Sequence, residues 1–108
     1  MEYRVSFPES IRLRLKALAE KLRPSGQGKE LGRVLAGIIE DLRYRPLEVG
    51  EIMYHLRHIP MPVKTMTKEY MAVVFAVHEA KKFVMVKKLT MLADHPFPDG
   101  TDRFLNQY

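Results

Sequence analysis

The residues whose types and spacing suit chemistry in this chain are the histidines, lysines and arginines between positions 55 and 95. Such side chains can cleave RNA without a metal, because the reaction needs a base for the 2′-hydroxyl proton, a cation for the charged phosphorane and an acid for the leaving oxygen. The candidate catalytic residues are Arg57, Lys87 and His95. A second group is predicted to contact RNA phosphates and comprises His55, Lys64, Lys68, His78 and Lys88. Two alternatives stay open: phosphate contact or partner docking without catalysis, and solvated charges on an open sheet.

Several other chemistries are excluded or disfavoured by the sequence. The chain has no cysteine, which excludes disulfides, thiolate metal sites and cysteine nucleophiles. His55 and His58 would point to opposite faces of one strand, and Lys82 stands where the helical zinc motif that begins at His78-Glu79 would need its second histidine. Neither a metal nor a cofactor is therefore predicted.

Length and charge define the class of protein. The 108 residues are enough for one domain with a modest core, and residues 1–108 are predicted to form it. The net charge of +5 favours a polyanionic partner such as RNA or DNA, or an acidic protein. No apolar run approaches the roughly 20 residues that span a bilayer, and the first residues lack a secretory pattern. We therefore expect a cytoplasmic protein without a membrane partner.

The first half of the chain predicts a strand and two helices. Residues 3–7 alternate apolar and polar side chains, as a half-buried strand does, and Ser6 and Glu9 have the spacing of a capping box around Pro8. Apolar residues then recur at helical spacing in two stretches: Ile11, Leu15, Leu18 and Leu22, followed by Leu31, Val34, Leu35, Ile38, Ile39 and Leu42. The second helix is predicted over residues 29–44, with Gly32 and Gly37 allowing close approach to the first helix.

The second half predicts strands. Residues 52–59 alternate, Pro60 and Pro62 should end or interrupt that strand, and residues 63–67 are expected to resume as extended chain. Two apolar runs, 70–77 and 83–92, flank a short charged break and predict an antiparallel hairpin. Lys87 and Lys88 should leave its second strand on opposite faces, so only one of them would join a given cluster. Residues 93–108 are predicted to be an irregular C-terminal tail.

The element order is thus β-α-α-β-β-β, an α+β fold. We expect a two-layer sandwich, in which the N-terminal strand and an antiparallel helical hairpin pack on a four-stranded, mostly antiparallel sheet. The other face of the sheet would be open, and the basic side chains of the strands could gather there.

Several segments in residues 3–92 resemble the RelE/ParE superfamily of bacterial toxins. They are a first strand ending in Phe-Pro-Glu, the helical hairpin, the segment Arg-Pro-Leu-Glu-Val-Gly-Glu at 45–51, and a hairpin of the type Tyr-x-x-Val-Val-Phe-x-Val-x-Glu followed by Val-x-Val. The resemblance implies a toxin of a type II toxin–antitoxin system. Its partners would be an antitoxin protein and either mRNA on the ribosome, which it would cleave, or DNA gyrase, which it would block.

The resemblance leaves an alternative on the same scaffold. RelE-like nucleases often carry an arginine at the start of the third strand and a tyrosine in a C-terminal segment, whereas this chain has Ala72 near the first position and only Tyr108 near its end. The alternative is a non-enzymatic binding module, such as a gyrase-type inhibitor or an inactive toxin homologue, and a basic interaction protein outside this family is a third possibility. If exposed, the methionines at 53, 61, 66 and 71 would suit an antitoxin segment or a homodimer through a free strand edge.

Overall fold

A computed structural model of the chain describes residues 2–55, 58 and 61–106. Within these residues the chain forms two α-helices, five strands and two short 3-10 turns, so the predicted α+β class is confirmed. The helices and strands are β1 Arg4–Ser6, α1 Glu9–Leu22, α2 Gly28–Tyr44, β2 Glu51–His55, β3 Pro62–Lys68, β4 Met71–His78 and β5 Phe83–Met91. The 3-10 turns are Arg23–Ser25 and Thr101–Phe104. None of the helices in this part of the chain has the length and apolar character needed to cross a membrane.

The five strands form one mixed sheet in the order β1-β5-β4-β3-β2. The prediction of four strands is wrong, because the residues predicted to resume as extended chain form β3, which pairs antiparallel with β2 on one side and with β4 on the other. The hairpin of β4 and β5 is antiparallel as predicted, but β1 pairs in parallel with β5. The sheet therefore has β1 at one edge and β2 at the other.

The two helices cover one face of the sheet, as the apolar stripes predict. Leu18 and Leu22 of α1 and Ile38 and Leu42 of α2 are at most 1% exposed. They share one core with alternate residues of the central strands, namely Met71, Val73, Phe75 and Val77 of β4 and Val84, Val86, Leu89 and Met91 of β5. Because side chains alternate along a strand, Val74 and Ala76 of β4 belong to the opposite face, where they pack with Met61 and Val63.

Two local predictions about the helices are wrong. Helix α1 begins at Glu9 with Pro8 as its N-cap and has no side-chain capping bond, because Ser6 belongs to β1 and pairs with Met85 of β5. Neither Gly32 nor Gly37 makes room for the first helix. A Cβ at Gly32 would meet nothing within 4 Å, and one at Gly37 would lie 2.9 Å from Lys68 Cε, so Gly37 makes room for a side chain of β3.

The C-terminal segment is packed against the fold. Phe97 and Leu105 are 5% and 2% exposed, and the Phe97 ring meets the Tyr70 ring edge-on with 5.4 Å between centroids. The Asn106 side chain donates to the Met91 carbonyl oxygen at 2.7 Å and accepts from the Met91 N–H at 2.8 Å. The segment thus closes the end of β5 next to α1.

The methionines predicted as a cluster separate in the structure. Met61, Met66 and Met71 are buried, whereas Met53 on the edge strand β2 is 54% exposed. Its neighbours Ile52 and Tyr54 are also exposed, and a bulge between them interrupts the pairing of β2 with β3. The homodimer through a free strand edge stays a prediction.

Candidate nucleic-acid interface

A cleft at the β1 edge of the sheet combines two arginines with two phenylalanines. Its volume is about 440 Å³, and it is lined by Arg4, Val5, Ser6, Phe7, Arg12 and Phe83. The parallel pairing of β1 with β5 sets Arg4 beside Phe83, and the guanidinium carbon lies 5.1 Å from the centroid of the ring. Because α1 starts directly after β1, it brings Arg12 to the same cleft. We call this the β1 cleft.

A second cleft, which we call the β5 cleft, lies along β5 and adds three more cations. It has a volume of about 300 Å³ and is lined by Ser10, Ile11, Arg14, Lys87, Lys88, Leu89 and Leu105. The prediction that only one of the two lysines could join a cluster is wrong for this cleft, because both of them line it. The reason is a bulge: Val86 pairs with Phe75 and Lys88 with Val74, which leaves Lys87 without an opposite residue on β4.

The two clefts adjoin the same first turns of α1, and together they form a basic surface. We call its five cations the cationic edge: Arg4, Arg12, Arg14, Lys87 and Lys88. No carboxylate is found among the described residues that line either cleft. The N-terminus of α1 adds positive partial charge in the same region. The sheet face next to the β1 cleft continues with His78, which is paired with Phe83.

Two of the predicted phosphate contacts, Lys64 and Lys68, bind oxygen atoms of the protein itself. Lys64 is only 4% exposed, and its ammonium group donates to the carbonyl oxygens of Pro46 at 3.2 Å and Leu47 at 2.8 Å. Burial lowers its pKa. Lys64 therefore holds the segment between α2 and β2 in place, and it is not exposed for contact with RNA.

Lys68 is engaged in an ion pair with α2. Its Nζ atom lies 2.8 Å from Oδ2 of the buried Asp41, whose other oxygen accepts from Arg45. Burial by itself would raise the pKa of Asp41, but the hydrogen bonds from Lys68 and Arg45 outweigh it and hold that pKa below its ordinary value. The role of Lys68 is thus to connect β3 to the second helix.

The described histidines of the predicted site do not converge. His95 follows β5, and its Nδ1 accepts from the Phe97 N–H at 3.1 Å. His78 ends β4, and its Nδ1 accepts from the Lys81 N–H at 3.2 Å. His55 is exposed at the far edge of the sheet, on β2.

The structure describes two of the three predicted catalytic residues, Lys87 and His95. Lys87 lines the β5 cleft, where His95 is not among the lining residues, and Arg57 and Tyr108 lie outside the described residues. No group of three histidine, aspartate or glutamate side chains suited to a metal ion is found among the residues that the structure describes.

Sequence reasoning missed most of the interface. Of the cationic edge it singled out Lys87 and Lys88, whereas Arg12 looks like part of the solvated face of a helix, and Arg4 and Phe83 stand far apart in the chain. The parallel pairing that joins residues 4 and 83 leaves no local pattern. Only the net charge of +5 indicated that a basic surface would form on folding.

Comparison of the chain with protein-family models, with curated proteins and with solved structures finds no match. The resemblance to RelE/ParE toxins therefore stays a prediction. The argument for function rests on the geometry of the chain itself.

Proposed function

We propose that this protein is a non-catalytic module that binds single-stranded nucleic acid along the cationic edge. The observation that carries the proposal is the β1 cleft, where Arg4 and Arg12 stand beside Phe7 and Phe83 with no carboxylate among the described lining residues. Proteins that bind single strands combine a positive groove for the backbone with aromatic side chains on which bases stack. The β1 cleft contains both components, and the β5 cleft extends the positive part.

In this proposal the β1 cleft binds a base and the cations of both clefts bind phosphates. The Arg4 guanidinium already lies over the Phe83 ring, and an unpaired base can stack on a guanidinium plane or on an aromatic ring. Arg12, Arg14 and Lys87 then pair with successive phosphates, to which arginine can donate two hydrogen bonds at once. A duplex keeps its bases stacked on one another, so the aromatic part of the site favours single strands.

Cleavage is not part of this proposal, because His95 is not among the residues that line the β5 cleft together with Lys87. Toxicity, an antitoxin partner, and action on ribosome-bound mRNA or on gyrase remain predictions of the family resemblance. They are tested by inducing the protein in bacteria and following growth together with mRNA integrity.

The test of the proposal is fluorescence anisotropy with labelled twelve-nucleotide single-stranded RNA, single-stranded DNA of the same sequence, and duplex RNA. The interface variant is Arg4→Gln/Arg12→Gln, and the matched control is Lys16→Gln/Lys21→Gln, which removes the same charge from exposed positions of α1 outside both clefts. We expect the interface variant to lose affinity for single strands by about tenfold or more, and the control to change by about twofold at most. If both variants lose the same affinity, binding depends on the net charge of the protein and not on the cationic edge, and the proposal is overturned.

A third variant separates stacking from charge. Phe83→Leu keeps every cation and the apolar character of the position, and it should weaken binding of single strands by about tenfold, since stacking of one base contributes roughly 1–3 kcal/mol. The same RNA is also incubated with the protein and separated on a denaturing gel. Discrete cleavage that Lys87→Ala abolishes would replace the binding proposal with the nuclease prediction.

A further inference from the structure

A third cleft, which shares Arg4 with the β1 cleft, has a different chemical character. It lies between β1, the C-terminal part of α2 and the turn that precedes β5, and its volume is about 430 Å³. Its lining residues are Glu2, Tyr3, Arg4, Val5, Ile39, Arg43 and Lys82. The volume falls in the range of small-molecule sites, roughly 300–1,000 Å³. We call it the α2 cleft.

The α2 cleft contains a carboxylate that the rest of the interface lacks. Oε2 of Glu2 lies 2.6 Å from Nη2 of Arg43, so the ion pair orients the carboxylate at the cleft. Lys82 lies over the Tyr3 ring at 5.1 Å from its centroid, and its ammonium group is 3.5 Å from the Tyr3 hydroxyl. Val5 and the 37% exposed Ile39 supply apolar wall. The cleft thus offers one acceptor group, several cationic donors and an apolar surface.

We propose that the α2 cleft is a base-recognition pocket that selects guanine, an inference that rests on the proposed binding of single strands. Guanine presents two adjacent N–H donors on its Watson–Crick edge, and these match the two oxygens of a carboxylate such as Glu2. It also presents the O6 and N7 acceptors, which are the usual partners of arginine and lysine. Arg4 and Lys82 stand on the same cleft to supply those donors.

The other bases satisfy only part of this pattern. Adenine has no carbonyl acceptor for the cations, and cytosine and uracil each lack the pair of adjacent donors that a carboxylate accepts. A mismatched base therefore forms fewer hydrogen bonds in the cleft and binds less tightly. Because Arg4 lines both clefts, a base in the α2 cleft is continuous with the strand that lies on the cationic edge.

The experiment compares the affinities of the full chain for four labelled twelve-nucleotide RNAs: a UG repeat, a UA repeat, a UC repeat and oligo(U). We expect the UG repeat to bind about tenfold more tightly than oligo(U), in line with the discrimination that good base contacts provide. Glu2→Gln should remove that preference without weakening the binding of oligo(U). Glu9→Gln is the matched control, because it removes a carboxylate that lines none of the three clefts, and it should leave the preference intact.

The outcomes distinguish this inference from the function on which it rests. If none of the four RNAs binds, the proposed function fails and the inference falls with it. If all four bind equally to the wild type, or if Glu2→Gln keeps the preference for the UG repeat, the guanine pocket is refuted and the proposed function stands. Thermal melting of both variants shows whether the fold is retained.

Discussion

The number of cations at the interface predicts how steeply binding depends on salt. Each phosphate that a protein neutralises on a single strand contributes about −0.7 to the slope of log affinity against log salt concentration. Three residues of the cationic edge, Arg12, Arg14 and Lys87, are proposed to pair with phosphates, so their full engagement gives a slope of about −2.1. Between 50 and 200 mM KCl the affinity for single-stranded RNA should then fall by about twentyfold.

Removing two of these cations should change the slope by a defined amount. In Arg12→Gln/Lys87→Gln only Arg14 remains of these three, so the slope should flatten to about −0.7 and the same change in salt should lower the affinity about threefold. The assay is a series of anisotropy titrations at five salt concentrations with one labelled RNA. The control Lys16→Gln/Lys21→Gln carries the same net charge and should keep the wild-type slope. A double variant as steep as the wild type, or a wild-type slope near zero, would refute the assignment of the cationic edge.

Two further predictions concern the stability of the fold. Gly50 has a φ of +72°, and a Cβ there would overlap the Thr65 carbonyl oxygen and lie 2.9 Å from Met66 Cβ. Gly50→Ala should therefore lower the free energy of unfolding, measured by urea titration, by about 3 kcal/mol. Gly32→Ala is the contrasting variant, because a Cβ at this position in α2 meets nothing within 4 Å. It should stabilise the protein by about 0.5–1 kcal/mol. Equal effects of the two substitutions would contradict the backbone conformation at Gly50. Asp41→Asn should destabilise the protein by about 1 kcal/mol at pH 7, because it weakens the bonds to Lys68 and Arg45. Folding lowers the pKa of Asp41, so the ionised carboxylate stabilises the folded state at pH values above the ordinary pKa of 3.8. This contribution is lost as the pH falls through the lower pKa of the folded state. The difference in the free energy of unfolding between wild type and Asp41→Asn should therefore shrink on acidification. A difference that does not depend on pH would show that the carboxylate charge is not responsible.

The elements with strong local periodicity were predictable. The stripe of α2 and the two apolar runs of the β4–β5 hairpin match the structure closely, because burial of one helix face or of a central strand leaves a pattern within a few residues. The start of α1 was predicted less well. Ser6 has the right type and spacing for a cap, but hydrogen bonding of β1 to β5 keeps it in the strand.

The number of strands was harder to predict, because β3 begins at a proline. Its sequence shows no alternation of apolar and polar side chains, since Lys64 is buried with its charge satisfied by two carbonyl oxygens. A lysine in a strand normally indicates a solvated face. Only the fold shows that the carbonyl groups of Pro46 and Leu47 reach this one.

The candidate site depended even more on tertiary structure. Residue types alone selected eight basic side chains, and of these Lys87 and Lys88 belong to the cationic edge, while Lys64 and Lys68 bind carbonyl and carboxylate oxygens of the protein itself. The bulge that brings both Lys87 and Lys88 to one cleft depends on pairing with β4, which no pattern within β5 predicts.

The sequence by itself determined the α+β class, the two helices, the central hairpin and the excess of positive charge, because each follows from composition or from periodicity over neighbouring residues. Tertiary structure alone decided which charges remain on the surface and which of them meet. Arg4 lies beside Phe83 because β1 pairs in parallel with β5, and Arg12 lines the same cleft because α1 starts directly after β1. Contacts between residues so distant in sequence are set by the packing of complete elements, and for that reason they leave no trace in the local order of residues.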